Sequence, residues 1–170
     1  MSIVDEIYKA FSGRQKPAHV LSESSSFTFK EDYEDAAFFC GKSNREISCA
    51  DLDAHPDCVF WFSPSAYLYY LPGIYAATIS EGNNRILVIS SIIKSLDRSN
   101  APGTWDDFFA KRWPLLNREE CIATQKWLLW LSQFGDNSFD EISLGRAFDT
   151  IEIIAGQDSA DPIAKRAPRS

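Results

Sequence analysis

The sequence lacks the short motifs that carry nucleotide or hydrolase chemistry. Its 170 residues contain no GxxxxGK phosphate loop, no GxGxxG turn and no GxSxG nucleophile elbow. Only two histidines are present, His19 and His55, so a histidine-dependent mechanism has few candidate residues. No recognised sequence motif therefore supports an enzymatic function.

Long apolar runs and a signal peptide are also missing. A membrane-spanning helix needs about 18–20 apolar residues, and the nearest stretch, Val59 to Thr78, is too rich in Tyr, Ser and Pro. The N-terminal segment MSIVDEIYKAF carries Asp5 and Glu6 and has no basic region before an apolar core. We therefore expect a cytoplasmic protein.

Basic residues are outnumbered by acidic ones. Lys and Arg total 17 against 24 Asp and Glu, which gives a formal net charge of -7. An acidic chain repels phosphate backbones and anionic lipid, so neither nucleic acid nor a membrane is an expected partner. A basic partner protein fits this charge, although the same excess also serves simple solubility.

The chain has four cysteines, Cys40, Cys49, Cys58 and Cys121, and their spacing is not that of a metal site. Cys40, Cys49 and Cys58 recur every nine residues, whereas zinc ligands commonly pair two to four residues apart. In a cytoplasmic chain we expect free thiols that act as small buried hydrophobes. Zinc held by Cys49, His55 and Cys58 is the minor alternative, so no cofactor is predicted.

The most apolar and aromatic stretch, Val59 to Thr78, predicts a buried central helix. Ser63 followed by Pro64 is a helix start, with a hydroxyl cap before a proline at the first helical position. The residues that follow are apolar on nearly every side, which is typical of a helix surrounded by others. Pro72 cannot donate to the carbonyl of Leu68, so we expect a kink or break at Leu71 to Gly73.

Amphipathic segments on both sides of this hub predict further helices. Together they indicate a mainly α, compact single-domain bundle of about six helices, spanning residues 1–156, with a disordered tail at 157–170. A short β element remains open at Phe27 to Phe29 and at Cys58 to Phe62. Before the hub, the predicted helices are residues 2–12, Glu31 to Cys40, and one through Ile47 and Leu52 after the Ser43–Glu46 capping box. Directly after the hub, residues 86–96 are predicted as a helix, with a strand as the rival. The last three predicted helices are one capped by Thr104, one opened by Asn117–Glu120 and ending at Gly135, and one opened by Ser138–Glu141 and closed by Gly156.

Clustered acids and one tryptophan are the candidate partner-binding residues. Acids in the first turn of a helix also complement its dipole, which is the simpler interpretation of most of them. The second cluster, Asp51, Asp53, His55 and Asp57, offers the oxygen and nitrogen ligands of a small metal-dependent enzyme, the alternative function. The candidate residues are Glu31, Asp32, Glu34, Asp35, Asp51, Asp53, Asp57, Trp105, Asp106 and Asp107.

The segment SPSAYLYYLP, Ser63 to Pro72, resembles an uncharacterised bacterial domain family. Members of that family share a Ser-Pro-x-Ala segment leading to Tyr-Tyr-Leu-Pro. The IYKAF segment from Ile7 to Phe11 and the helix from Asn117 to Leu131 are similar to its flanking elements. The family often has a Trp shortly before a Glu-Ile pair, whereas Asn44 and Arg45 stand there in this chain. The resemblance implies a bacterial origin and no established activity.

Composition also makes the chain similar in type to immunity proteins, which are small, acidic bacterial proteins that neutralise a cognate toxin. This likeness rests on size and charge and on no motif. The sequence therefore predicts a protein-binding module without catalytic residues, whose partner is a basic toxin or another basic protein.

Overall fold

The computed structural model describes residues 1–22, 30–134 and 140–159. Within those ranges the chain forms nine α-helices and four short 3-10 turns, and no strand. This confirms the mainly α fold predicted from the sequence. The α-helices are α1 (Ile3–Ala10), α2 (Lys30–Ala37), α3 (Cys49–Ala54), α4 (Cys58–Trp61), α5 (Pro64–Glu81), α6 (Leu87–Leu96), α7 (Asp107–Ala110), α8 (Arg118–Ser132) and α9 (Glu141–Ser159). The 3-10 turns are Phe38–Gly41, Asn44–Glu46, Pro102–Thr104 and Trp113–Leu115.

Helix α5 is the hub of the bundle. Every residue from Ala66 to Thr78 is buried, as expected for a helix with no polar face. Helices α1, α3 and α8 and the turn Asn44–Glu46 pack directly against it, and α9 joins through α6 and α8. Polar groups on the hub are bonded: the indole N–H of Trp127 donates to the hydroxyl of Thr78 at 3.0 Å. The central position predicted for this segment is confirmed.

Of the kink or break expected at Leu71 to Gly73, the break is absent, because α5 runs without interruption from Pro64 to Glu81. A proline inside a helix disturbs the carbonyls of the preceding turn, which then need other donors. The side-chain amide of Asn44 supplies one, donating to the carbonyl of Tyr69 at 3.0 Å. The turn that carries Asn44 can approach this closely because Gly73 has no Cβ; an added Cβ would lie 2.1 Å from the Asn44 carbonyl oxygen.

Several helix ends lie where the sequence placed them. Ser63 caps α5 by accepting from the N–H of Ala66, and Pro64 is its first residue. Asn117 and Glu120 form the capping box of α8. Gly82, with a φ of 61°, ends α5 in the left-handed conformation that glycine adopts without strain. Residues 87–96 are helical, so the rival strand is wrong.

Other boundaries differ from the sequence prediction. Cys58–Trp61 is one turn of α-helix instead of a strand or extended lead-in. The box at Ser43–Glu46 closes only a 3-10 turn, and a second box, Ser48 with Asp51, opens α3. Thr104 caps nothing, because its hydroxyl donates back to the carbonyl of Ala101, and Asp106 caps α7 instead.

The C-terminal ends of three helices also differ from the prediction. Helix α2 ends at Ala37 and continues as a 3-10 turn, α8 ends at Ser132, and α9 extends past Gly156 to Ser159. The only bridge of β type in the described ranges joins Leu21 to Phe62. The strand considered at 27–29, the start of the Ser138–Glu141 box and residues 160–170 of the predicted tail lie outside the described residues.

A substitution at Tyr70 tests whether its hydroxyl holds the end of α2 to the hub helix α5. Its hydroxyl lies 2.6 Å from the carbonyl oxygen of Phe39 and 3.1 Å from that of Lys42, so it ties the turn after α2 to α5. Burial raises the pKa of Tyr70, so the hydroxyl remains a donor. Tyr70→Phe should cost about 1–2 kcal/mol of unfolding free energy, because both buried carbonyls lose this donor. Chemical denaturation would measure the cost.

Tyr8→Phe is the matched control for this change. The Tyr8 hydroxyl contacts the Asn44 carbonyl only at 3.4 Å in a half-buried position, so its loss should cost less than about 0.5 kcal/mol. Equal stability losses in the two variants would show that the Tyr70 hydroxyl does not hold α2 to the hub.

Candidate functional site

The first candidate region surrounds Phe38, at the end of α2. The Phe38 ring is 39% exposed and stacks on the imidazole of His55, with ring centroids 4.2 Å apart. One oxygen of Asp35 lies 3.1 Å from Nδ1 of His55, and the other accepts from the backbone N–H of Asp57 at 3.3 Å. We call Glu34, Asp35, Phe38 and Asp57 the Phe38 face. It combines an exposed aromatic ring with three carboxylates.

The three acids of residues 51–57 do not converge on one point. Asp51 belongs to the capping box with Ser48, and its carboxylate pairs with the ammonium of Lys42 at 2.7 Å. Although its burial acts in the opposite direction, the hydrogen bonds from Lys42 and Ser48 lower the pKa of Asp51 below its usual value. Asp53 is exposed on α3 one turn from Cys49, while Asp57 belongs to the Phe38 face.

This geometry bears on the metal-dependent alternative. In the part of the chain that the structure describes, no three His, Cys, Asp or Glu side chains are placed to hold a metal ion. Burial raises the pKa of the Cys49 thiol to about 12 and that of Cys58 still further, which keeps both protonated at neutral pH. Cys49, Cys58 and Cys121 are buried, as expected for structural thiols, whereas Cys40 is exposed, which corrects the expectation for that residue.

The other candidate acids hold local structure. Asp106 caps α7 by accepting from the N–H of Phe109 and pairs with Arg98 at 2.8 Å. The neighbouring Asp107 pairs with Lys111 one turn later, and both side chains are largely exposed. Trp105 is half-buried, and its indole N–H donates to the carbonyl of Ser99 at 3.0 Å. Glu31 and Asp32 lie in the first turns of α2, and their side chains lie outside the described part of the chain.

A groove of about 960 Å³ is the second candidate region. Its floor includes Arg112, which is 5% exposed, and no carboxylate in the described ranges pairs with that guanidinium. Two backbone carbonyls accept from it, that of Phe62 at 2.8 Å and that of Phe108 at 3.1 Å, and the Phe108 ring lies 3.8 Å below it. We call this cavity the Arg112 groove. It is lined by residues 17–19, 21, 22, 60, 61, 63–65, 107, 108, 111 and 112.

Sequence reasoning missed Arg112 and also the buried pair of Arg14 with Glu120. Arg14 Nε lies 2.6 Å from Glu120 Oε1, and the second nitrogen lies 2.7 Å from Oε2. This hydrogen bonding raises the pKa of Arg14 above its ordinary value. Glu120 was recognisable only as a capping residue. Its second partner is 106 residues away in the chain, and no local pattern shows that.

Comparisons of the chain with protein-family models, with curated proteins and with solved structures found no match. The resemblance of SPSAYLYYLP to a bacterial domain family therefore stays a prediction. None of the helices in the described ranges is long and apolar enough to span a membrane.

Proposed function

We propose that this chain is a protein-binding module, and most specifically a bacterial immunity protein that binds and neutralises a basic toxin in the cytoplasm. The Phe38 face is the observation that carries this proposal. It places a half-exposed aromatic ring among carboxylates of α2 and of the turn before α4, in a chain of net charge -7.

The composition of the Phe38 face suits a basic protein surface. Aromatic rings are common energetic anchors of protein interfaces, because they bury a large area at small entropic cost. Carboxylates around such an anchor attract Lys and Arg side chains of a partner and accelerate association. Lys42 lies over the Phe38 ring, 4.9 Å from its centroid, and is paired with Asp51, so it offsets little of the negative charge that a partner would meet.

The face is also held in a fixed geometry before any partner arrives. Asp35 fixes both the imidazole of His55 and the backbone of Asp57, and His55 in turn supports the Phe38 ring. Preorganisation of this kind reduces the entropy that binding would otherwise cost. The arrangement therefore favours recognition of one partner surface.

Charge reversal on the Phe38 face tests the binding proposal. The partner would be co-purified with the tagged chain from its native host, identified, and produced separately. Glu34→Lys/Asp57→Lys should then weaken its binding at least tenfold and slow association at low salt, since two attractive charges become repulsive. Binding would be measured by surface plasmon resonance at two salt concentrations.

The control keeps the total charge change the same. Asp149→Lys/Glu152→Lys alters two exposed acids on α9, which packs against α6 and α8. It should leave association within about twofold if local charge controls binding. Equal losses in the two double variants would contradict a role for the Phe38 face. An immunity function further requires that co-expression of this chain rescues growth of cells producing the partner, and a failure to rescue would overturn it.

A further inference from the structure

We propose that the Arg112 groove binds a small organic monoanion, with a carboxylate held near Arg112 and an apolar or aromatic body lying against Phe60 and Trp61. The inference is independent of the Phe38 face and of the immunity function. It assigns a ligand site to a cavity whose floor contains a buried cation that no carboxylate of the described residues neutralises.

The environment of Arg112 is the first argument. A buried guanidinium normally pairs with a carboxylate, because burial of an unpaired charge is costly. Here its partners are two carbonyls and the rings of Phe108 and Tyr67, and its Nε has no hydrogen-bond partner within the described residues. The guanidinium is a five-donor group whose fork matches a carboxylate, so an arriving carboxylate would supply the missing countercharge.

The first turn of α5 is the second argument for an anion site in the Arg112 groove. Ser63, Pro64 and Ser65 line the groove, so the N-terminal, positive end of the dipole of this 18-residue helix lies at it. The Ser63 hydroxyl already serves the helix, since it accepts from Ala66 and donates to the carbonyl of His19 at 2.8 Å. Helix N-termini favour anions, and here the dipole adds to the charge of Arg112.

The charge balance of the lining selects one negative charge. Lys111 contributes a second cation, but Asp107 also lines the groove and pairs with it at 3.1 Å. Arg112 is therefore the remaining net charge among the described Asp, Glu, Lys and Arg side chains of the lining. A singly charged carboxylate neutralises it, whereas a dianionic phosphate would add repulsion against Asp107.

The walls of the groove determine the rest of the ligand. Phe60 is 45% exposed, and Trp61, Phe108 and Leu21 add further apolar surface. A volume of about 960 Å³ is in the range of cavities that hold small organic molecules, which are typically apolar with a few fixed polar groups. An aromatic carboxylate combines both features.

Three probes with the same aromatic body separate the possible ligand classes. Binding of phenylacetate, phenylacetamide and phenyl phosphate to the full chain would be followed by titration in NMR spectra. We expect phenylacetate to bind at least ten times more tightly than phenylacetamide and more tightly than phenyl phosphate. Tighter binding of phenyl phosphate would overturn the carboxylate class. Equal binding of acid and amide, or no binding of either, would overturn the site itself.

Two variants locate the binding. Arg112→Met keeps an apolar side chain of similar length and should abolish the preference for phenylacetate over the amide. Phe60→Ala should weaken both ligands at least threefold, while Leu87→Ala, the truncation of another exposed apolar side chain outside the groove, should change neither. If Arg112→Met does not fold, the three-probe comparison and Phe60→Ala still decide. An unchanged affinity in Phe60→Ala would place the binding elsewhere.

Discussion

The Glu120→Gln variant is expected to lose about 3 kcal/mol of unfolding free energy and to melt roughly 6–12 °C below the wild type. The Glu120 side chain is 2% exposed and receives two hydrogen bonds from Arg14 and one from the N–H of Asn117 at 2.9 Å. The Gln side chain keeps the shape of Glu120 but loses its charge. Its NH2 group would also face a donor, from Arg14 or from the N–H of Asn117, in place of the carboxylate oxygen that now accepts there. Thermal unfolding followed by circular dichroism would measure the loss.

Glu119→Gln is the matched control, because it makes the same chemical change one residue earlier on an exposed side chain. It should stay within about 0.5 kcal/mol of the wild type. A loss of stability in Glu119→Gln equal to that in Glu120→Gln would show that helix charge, and not the buried pair, controls the stability.

The partner residue should be the more sensitive of the two. Arg14→Ala leaves the Glu120 carboxylate buried without its cation, whereas Glu120→Gln leaves Arg14 with 27% of its side chain exposed to water. We therefore expect Arg14→Ala to cost about 4 kcal/mol. In a double-mutant cycle the combined variant should fall short of the sum of the single losses by at least about 1 kcal/mol, and simple additivity would contradict a direct pair.

Gly73→Ala is the second change with a large expected effect, about 3 kcal/mol. The new Cβ would lie 2.1 Å from the carbonyl oxygen of Asn44 and 2.9 Å from its carbonyl carbon, and both are backbone atoms that cannot rotate away. The turn Asn44–Glu46 must move off α5, which also strains the Asn44 bond to the Tyr69 carbonyl, and the Ile47 side chain, 3.0 Å from the new Cβ, is crowded as well. Urea unfolding would show the loss as a lower midpoint with an unchanged slope.

Gly145→Ala provides the control for this substitution. Gly145 lies within α9, and a Cβ added there has no neighbour within 4 Å. Alanine should stabilise that helix by about 0.5–1 kcal/mol, because it loses less backbone entropy than glycine. Destabilisation by both alanines would mean that helix conformation, and not the approach of the Asn44 turn, limits Gly73.

Helix starts were predictable where a side chain caps the first turn of its own helix. Ser63 with Pro64 and Asn117 with Glu120 satisfy the free N–H groups of their own helices, so their sequence is sufficient. Thr104 failed the same test, because Asp106 lies closer to the apolar residues that α7 buries and takes the role instead. Thr and Asp can both cap a helix, so the sequence alone does not fix where α7 begins.

The region from Leu71 to Gly73 shows why a local rule can mislead. Proline removes one hydrogen bond from α5, and this much follows from the sequence. The helix nevertheless continues, and Asn44, which is distant in the chain, donates to the Tyr69 carbonyl in the same turn, where Gly73 leaves room for it. A local cost was offset by a partner that only the folded chain brings near.

The sequence by itself determined that this protein is a helical bundle around a central helix in the stretch Val59 to Thr78, because apolar periodicity and caps act within a few residues. Only the tertiary structure decided which charges are paired, since ion pairs join residues far apart in the chain. It spread Asp51, Asp53 and Asp57 in different directions, gave the buried Glu120 a partner in Arg14, and left Arg112 without a carboxylate partner among the described residues. The Coulomb energy of a pair depends on the distance between the two charges in space and on their burial, and the spacing of residues along the chain determines neither.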